Sequence, residues 1–245
     1  MVELKGDERI DYLFTDDERQ VIQSPSAFAF SADAVLLADF TYLPIKRGRV
    51  MDLCTGNGVI PLYLSKRSNA SIYGVEIQER LYDMALRNVK LNQLEDHIEM
   101  IHGDLREVSK QYNQQFDVVT CNPPYFKTDS KEKQNNNDYL TIARHEVYGG
   151  LTDVLQACSR LVKSGGKVSM VHRPNRLVEI MTLAETFQLA IKRLKFVHAK
   201  PNRDATMVLI EFLKDGKSDI KVEAPFYIHQ ENGAYTDAMK AILHG

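Results

Sequence analysis

Arg49-Val-Met-Asp-Leu-Cys-Thr-Gly-Asn-Gly58 runs directly into Val59-Ile-Pro-Leu-Tyr-Leu-Ser-Lys-Arg67, and the reading of that junction decides the fold. Arg49–Cys54 is a short apolar run broken by one acid, which reads as a buried strand, whereas Val59–Arg67 has helical period and a basic end. Between them two glycines mark a sharp turn where backbone approaches a ligand. Downstream the alternation continues. Strands are expected at Ser71–Glu76, Ile98–His102, Phe116–Cys121, Gly166–Val171, Leu194–Ala199 and Ala205–Leu213, and helices over Arg80–Asn92, Leu151–Val162 and Asn175–Leu189. Short apolar runs alternating with helices predict βαβ units, and therefore an α/β fold on a largely parallel sheet. Lys200-Pro-Asn-Arg-Asp204 is too short for a crossover helix, so the last two strands should form an antiparallel hairpin at the sheet edge. The expected sheet has seven strands, mostly parallel, with one antiparallel strand near the end.

Upstream, residues 1–48 show a possible short hairpin around Asp16-Asp17 and a helix over Ala32–Phe40 with Ser31 as N-cap. They read as a lid or appendage on a main domain spanning 49–245. Lys127–Tyr139 is polar, nearly free of apolar residues, and predicts a mobile loop. The 245 residues are 44% hydrophobic and 26% charged, enough for one full core. Cys54, Cys121 and Cys158 are odd in number, lack CxxC spacing and sit in apolar stretches, which implies a reducing compartment and no zinc site. Seven histidines at unrelated spacings add no metal site. The charged N-terminus is no secretory signal, and no window approaches the roughly 18 apolar residues of a membrane span, so a cytoplasmic protein is expected. A net charge of −2 argues against a protein that coats nucleic acid. RNA contact would need a local patch. Lys127, Lys131 and Lys133 form one candidate, and Lys192, Arg193, Lys195, Lys200 and Arg203 another.

The glycine turn constrains the ligand. A dinucleotide fingerprint would place a third glycine where Pro61 stands, and here an acid, Asp52, precedes the turn. A cationic, phosphate-free nucleoside suits it better, and S-adenosyl-L-methionine has that chemistry. Thr55, Gly56 and Gly58 form the turn itself. Glu76 ends the next strand, where a doubly wound fold places the acid that takes ribose hydroxyls. Asp104 ends the third strand and is a candidate partner of the adenine amine, or else a turn-forming Gly-Asp pair.

Asn122-Pro-Pro-Tyr125 follows the fourth strand directly. Two prolines remove two backbone donors and stiffen the chain, leaving carbonyls free to accept from a ligand. An exocyclic adenine amine is a poor nucleophile because its lone pair is delocalised into the ring. Acceptors on both N–H bonds, from the Asn122 side chain and the Pro123 carbonyl, would favour a pyramidal nitrogen aimed at the methyl group. Rate would then come from orientation and electrostatic fit, without a strong base. Tyr125 would stack on the planar acceptor, with Pro124 and Phe126 as further walls. Lys127, Arg144 and His172 complete the candidate substrate contacts; Arg144-His145 also reads as a local ion-pair cluster, and His172 as a satisfied strand-end histidine.

In these motifs the chain resembles the NPPY-class amino-methyltransferases, and more closely the bacterial tRNA (adenine-N6) methyltransferase family that modifies adenine 37 of valine tRNA. The closer likeness rests on Asp7–Tyr12 with Gln23 and Phe28-Ala-Phe-Ser-Ala-Asp-Ala-Val-Leu-Leu-Ala38, on Ala143-Arg-His-Glu146, and on Tyr235-Thr-Asp-Ala-Met-Lys240. It covers nearly the whole chain. It implies a Rossmann-like class I methyltransferase fold, S-adenosyl-L-methionine as cofactor, and Asn122, Pro123 and Tyr125 as the acceptor site. The N-terminal segment, Phe30 included, would cover the cofactor, and Asn122 would also touch it. Acidic Asp16-Asp17-Glu18 departs from the more apolar approach expected there. Three other readings compete. A protein glutamine amide offers the same planar NH2, but enzymes of that kind carry an N-terminal helical domain for which 48 residues leave no room. Ribosomal guanine-N2 methylation usually goes with phenylalanine in place of Tyr125. A catalytically silent RNA-binding module would not need the intact Asp52, Glu76 and Asn122 set.

Overall fold

The computed structural model describes residues 2–14, 19–27, 32–43, 46–125, 150–217 and 219–244. The turn expected at Asp16-Asp17, the Ser31 cap, the Lys127–Tyr139 loop with Lys131 and Lys133, and the Ala143–Glu146 motif lie outside the described residues.

The predicted alternation becomes β3 (Arg49–Leu53), α2 (Val59–Arg67), β4 (Ser71–Glu76), α3 (Glu79–Leu91), β5 (Ile98–His102), α4 (Leu105–Gln111) and β6 (Phe116–Cys121). After the undescribed segment come α5 (Leu151–Leu161), β7 (Val162–His172), α6 (Leu177–Thr186), β8 (Leu189–His198) and β9 (Ala205–Lys214). Ahead of them, β1 (Arg9–Tyr12) and β2 (Gln20–Gln23) form an antiparallel pair, and α1 spans Ala32–Phe40 as expected. The main sheet runs β10-β8-β9-β7-β6-β3-β4-β5, where β10 is Lys221–Val222, and β11 (Phe226–Tyr227) also pairs with β8. All neighbours pair parallel except β7 with β9 and β8 with β9.

The main sheet has nine strands among the described residues, which corrects the expected seven. The β8–β9 hairpin is there, but β8 is not a bare edge, because β10 and β11 run along it. Two-residue strands carry no readable alternation, so only the neighbouring strand reveals them. Helices α4 and α7 (Asp237–His244) were also absent from the sequence reading. They are short, and α4 buries only Val108 and Ser109, too little for a periodic signal.

The sheet's two faces divide the core by the alternation of strand side chains. Val50, Ile72 and Val118 pack with α1 and α2 residues such as Leu36, Leu37 and Leu62 on one face. Met51, Leu53 and Val119 pack with Leu155, Leu161 and Phe212 on the other. Among the described residues no helix is long and apolar enough to cross a membrane.

The N-terminal segment is built into this core. Leu13, Phe14 and Val21 are buried with α2, and the Arg87 guanidinium pairs through both its terminal nitrogens with Glu8 at 2.6 and 2.7 Å. A buried polar knot joins β2 to the glycine turn: Asn88 Oδ1 accepts from Ile22 N at 2.6 Å, and Asn88 Nδ2 donates to Asn57 O at 2.8 Å. Asn57 Nδ2 in turn donates to Ile22 O at 3.0 Å. Replacing Asn88 by alanine strands Ile22 N–H and Asn57 C=O away from water, at about 1–3 kcal/mol for each group. Asn88→Ala is therefore expected to lower the denaturation midpoint by an amount equivalent to about 3 kcal/mol. An unchanged midpoint in urea titration would show the knot to be dispensable.

Candidate active site

Strands β3 and β6 are parallel neighbours, with Leu53 opposite Cys121. Paired strands lie about 4.8 Å apart, so the glycine turn and the proline elbow leave the sheet side by side at its carboxyl edge. A hydrogen bond crosses this seam: the Thr120 hydroxyl donates to Asp52 Oδ1 at 2.6 Å. On the other side of β3, Glu76 ends β4, where Leu53 faces Val75. Its Oε2 accepts from Gly56 N at 2.8 Å and its Oε1 from Gln78 N at 2.9 Å.

The turn has the backbone its glycines promised. Gly56 and Gly58 have φ of 58° and 87°, and a Cβ on Gly58 would lie 3.0 Å from Met100 Cε. Cys54, at φ 57°, takes the same left-handed region without a glycine, where Asn, Asp or Gly is usual. Asp52 is fully buried. Burial pushes its carboxyl up to about 7 against the opposing Thr120 hydroxyl, and the nearby Glu76 charge adds to the rise. Burial likewise raises Glu76. Two inward acids held this way are unfavourable in the folded chain by itself and fit a cationic, hydroxyl-bearing ligand. Asp52 Oδ2 and Thr55 Oγ1 are both buried and neither makes a well-formed hydrogen bond, although the Thr55 hydroxyl is near enough to the carboxyl to oppose its rise; an acceptor and a hydroxyl remain for such a ligand. The donor set thus fits S-adenosyl-L-methionine.

Asp104 caps α4 by accepting from Arg106 N at 2.8 Å, and the Arg106 guanidinium holds its carboxyl below the usual carboxylate range. The turn-and-cap reading of Gly103-Asp104 describes this geometry, with the carboxylate only a short step along the edge from Glu76: Gly103 N donates to Glu76 O at 3.0 Å.

At the elbow, the Tyr125 hydroxyl lies 2.6 Å from Asn122 Oδ1 and 2.6 Å from Asp33 Oδ2 of α1. The Arg173 guanidinium stands over the Tyr125 ring, 5.2 Å from its centroid, and the His172 ring meets it edge-on at 5.3 Å. One face of Tyr125 is therefore already covered by a cation, and stacking on a base falls to the other face or requires Arg173 to yield. His172 is 0% exposed and, among the described residues, meets the site through the Tyr125 ring. Its Nδ1 accepts from Arg173 N at 2.8 Å, and burial, reinforced by Arg176, depresses its pKa to about 4, so it is neutral at physiological pH. Pro123 is buried and Pro124 half-buried beside it. Phe30, Phe126, Lys127 and Arg144 lie outside the described residues.

The second basic patch separates in three dimensions. Arg193 pairs with Glu211 and Glu223, Lys195 with Glu223, and Lys192 faces Asp219, whereas Lys200 and Arg203 stand at the β8–β9 hairpin tip. Sequence reasoning missed Asp33, Thr120 and Arg176, whereas Arg173, which ends the fifth strand beside His172 and reads from the sequence as able to shape the acceptor cleft, does stand over the Tyr125 ring. Thr120 had a usable signal, being the strand residue that faces Asp52 once β3 and β6 are paired in register. Among the described residues no cluster of His, Cys, Asp and Glu could hold a metal ion.

The pattern of the methyltransferase small domain family matches residues 29–195. A Flavobacterium psychrophilum protein named tRNA1(Val) (adenine(37)-N6)-methyltransferase is 24% identical over 237 residues, covering 95% of this chain and 98% of its own. A Porphyromonas gingivalis protein of the same name is 28% identical over 195 residues, covering 76% and 74%. Among solved structures, a predicted O-methyltransferase from Agrobacterium tumefaciens superposes with a TM-score of 0.69 at 22% identity, over 86% of this chain and 95% of that one. M. capricolum TrmK, solved with S-adenosyl-homocysteine, gives 0.54 at 18% identity, over 78% and 72%. These two likenesses are of fold.

Proposed function

Because this chain belongs to the methyltransferase small domain family, we propose that it transfers a methyl group from S-adenosyl-L-methionine to the exocyclic N6 of an adenine in tRNA, and that this adenine is number 37 of tRNA1(Val). A tRNA substrate is supported by the names of the similar curated proteins over most of this chain. The adenine amine is supported by the Asn-Pro-Pro-Tyr elbow. Such a substrate supports a cytoplasmic location. Residues 1–48 cover the cofactor side of the methyltransferase domain of 49–245 while packed into its core, a role supported by the link from β2 to the glycine turn and from α1 to the elbow.

The observation that carries the reading is the pairing of β3 and β6 in register, which sets the cofactor turn beside the acceptor elbow. S-adenosyl-L-methionine, when bound, supplies a methyl group on a sulfonium that leaves readily. Asp52 Oδ2 would accept from its cationic amine. Each Glu76 oxygen, after taking one backbone N–H, keeps a lone pair for a ribose hydroxyl. Thr55, Gly56 and Gly58 let backbone approach the ligand, with Asp104 and Phe30 as outer contacts. At the elbow, Asn122 and the Pro123 carbonyl accept the two amine hydrogens, so the nitrogen lone pair points along the transfer line. Tyr125 and Pro124 hold the base plane, with Phe126, Lys127 and Arg144 from the following segment. His172 keeps the Tyr125 ring in place. The amine proton becomes acidic on methylation, so no strong base is required, and rate comes from positioning.

The test is nucleoside mass spectrometry of individual tRNAs after incubation with purified protein and S-adenosyl-L-methionine. N6-methyladenosine is expected in valine tRNA, absent when adenine 37 is replaced. Methylation of ribosomal RNA or of a protein glutamine with none in tRNA would overturn the reading.

A further inference from the structure

The Tyr125 hydroxyl has two oxygen neighbours at 2.6 Å and a single hydrogen to give them. A carboxylate can only accept, so Asp33 Oδ2 has the stronger claim on that hydrogen; charge-assisted bonds of this kind are about twice as strong as neutral ones. Asp33 Oδ1 accepts from Ala34 N at 2.9 Å, while Oδ2 meets the phenol. With its hydrogen committed to Asp33, the Tyr125 oxygen presents lone pairs to Asn122. A carboxamide meets a lone pair with its NH2, and its oxygen and nitrogen exchange places by rotation about one bond.

We propose that Asp33 is a positioning residue for methyl transfer: by taking the Tyr125 hydrogen it makes Asn122 donate its NH2 to Tyr125 and turn its Oδ1 toward the acceptor amine. This rests on the function proposed above, in which Asn122 must accept from the substrate. Without Asp33, Tyr125 donates to Asn122 Oδ1 instead, and the amide shows two hydrogens to an amine that also carries two. The acceptor is then repelled at the point where it should be held. Burial, and then the Asp33 charge, push the phenol well above its ordinary range, so the hydrogen stays on Tyr125 throughout. Arg176 reaches toward the Tyr125 carbonyl at 3.5 Å, and His172 and Arg173 pack the ring, so the phenol has little freedom to turn away. Asp33 also gives the N-terminal helix a chemical task beyond covering the site.

Neutron diffraction of the deuterated protein without substrate reads the arrangement directly. It should place the Tyr125 deuterium on the line to Asp33 and one Asn122 amide deuterium on the line to Tyr125; a Tyr125 deuterium aimed at Asn122 overturns the proposal. Kinetics give a second reading through a double-mutant cycle. Asp33→Ala is expected to lower kcat on tRNA by about 100-fold, with cofactor affinity by calorimetry and KM for tRNA little changed. Asp33→Asn, which can still accept from the phenol, should recover most of that loss. Added to Tyr125→Phe, where there is no hydrogen to misplace, Asp33→Ala should cost nothing further. If it costs the same in both backgrounds, Asp33 acts as mere packing and the proposal fails. The diffraction result does not depend on turnover. A protein that shows the expected deuterium positions but methylates no tRNA sinks the function proposed above while leaving this assignment of hydrogens in place.

Discussion

Asn122→Ala is expected to reduce methyl transfer to tRNA by about a thousandfold while S-adenosyl-L-methionine still binds. The side chain stands at the end of β6, beside the glycine turn of β3, and its amide is fixed through Tyr125. Removing it deletes one of two acceptors for the amine and leaves only the Pro123 carbonyl. The ring then keeps the nitrogen lone pair, and the barrier rises at the moment of transfer rather than at binding. The loss should therefore appear in kcat, with KM for tRNA nearly unchanged. Single-turnover assays, with cofactor affinity measured by calorimetry, check both halves. Retention of more than about a tenth of the wild-type rate would mean that Asn122 holds nothing reactive.

Asp52→Asn is expected to act in two opposite directions. Burial pushes the Asp52 carboxyl up to about 7 in the folded chain, from an ordinary aspartate value of 3.8. Its folded pKa is raised, so its contribution to stability is fully present below the unfolded value and is lost as pH rises through about 7. At pH 8 the folded protein carries the whole cost of a buried charge, on the order of 4 kcal/mol for a shift of this size at about 1.4 kcal/mol per unit. A neutral asparagine escapes it. The variant should melt higher than wild type at pH 8, with the difference shrinking toward pH 4. The same carboxylate is what a cationic ligand needs, so cofactor affinity should fall by about a hundredfold or more. In the wild type, affinity should climb as pH rises through 7, and binding should release a proton; both effects should vanish in the variant. Thermal melts across pH, and calorimetry in buffers of different ionisation enthalpy, read these outcomes. A variant less stable than wild type at pH 8, yet binding cofactor normally, would make Asp52 a structural acid.

The same pair of residues shows how far local pattern reaches. Asp52 and the glycines after it could be read because strand, turn and helix succeed one another within about twenty positions, each with its own spacing of apolar side chains. Asn122-Pro-Pro-Tyr125 could be read because two adjacent prolines have no place in regular structure. Helices α1 and α2 span the residues expected for them. His172 is the instructive contrast. At the end of β7 it looked able to face the acceptor, and only the packing of Tyr125, Arg173 and Arg176 around it shows a neutral, buried ring set edge-on against Tyr125. The basic run after Lys192 likewise read as one patch. Strand alternation and nearby acids dispersed it: Arg193 and Lys195 turn to Glu211 and Glu223.

By itself, the amino-acid order determined the α/β class, the strands that build the centre of the sheet, the ligand turn and the proline elbow, because each depends on torsions and side-chain periods that neighbouring residues share. Only the tertiary structure decided that Asp33 meets Tyr125 across 92 positions, that Asn88 ties Ile22 to the glycine turn, and that two-residue strands line β8. Those partners are matched by the packing of the sheet faces and by the need to satisfy each buried donor and acceptor. No periodicity along the chain encodes which distant group will do so.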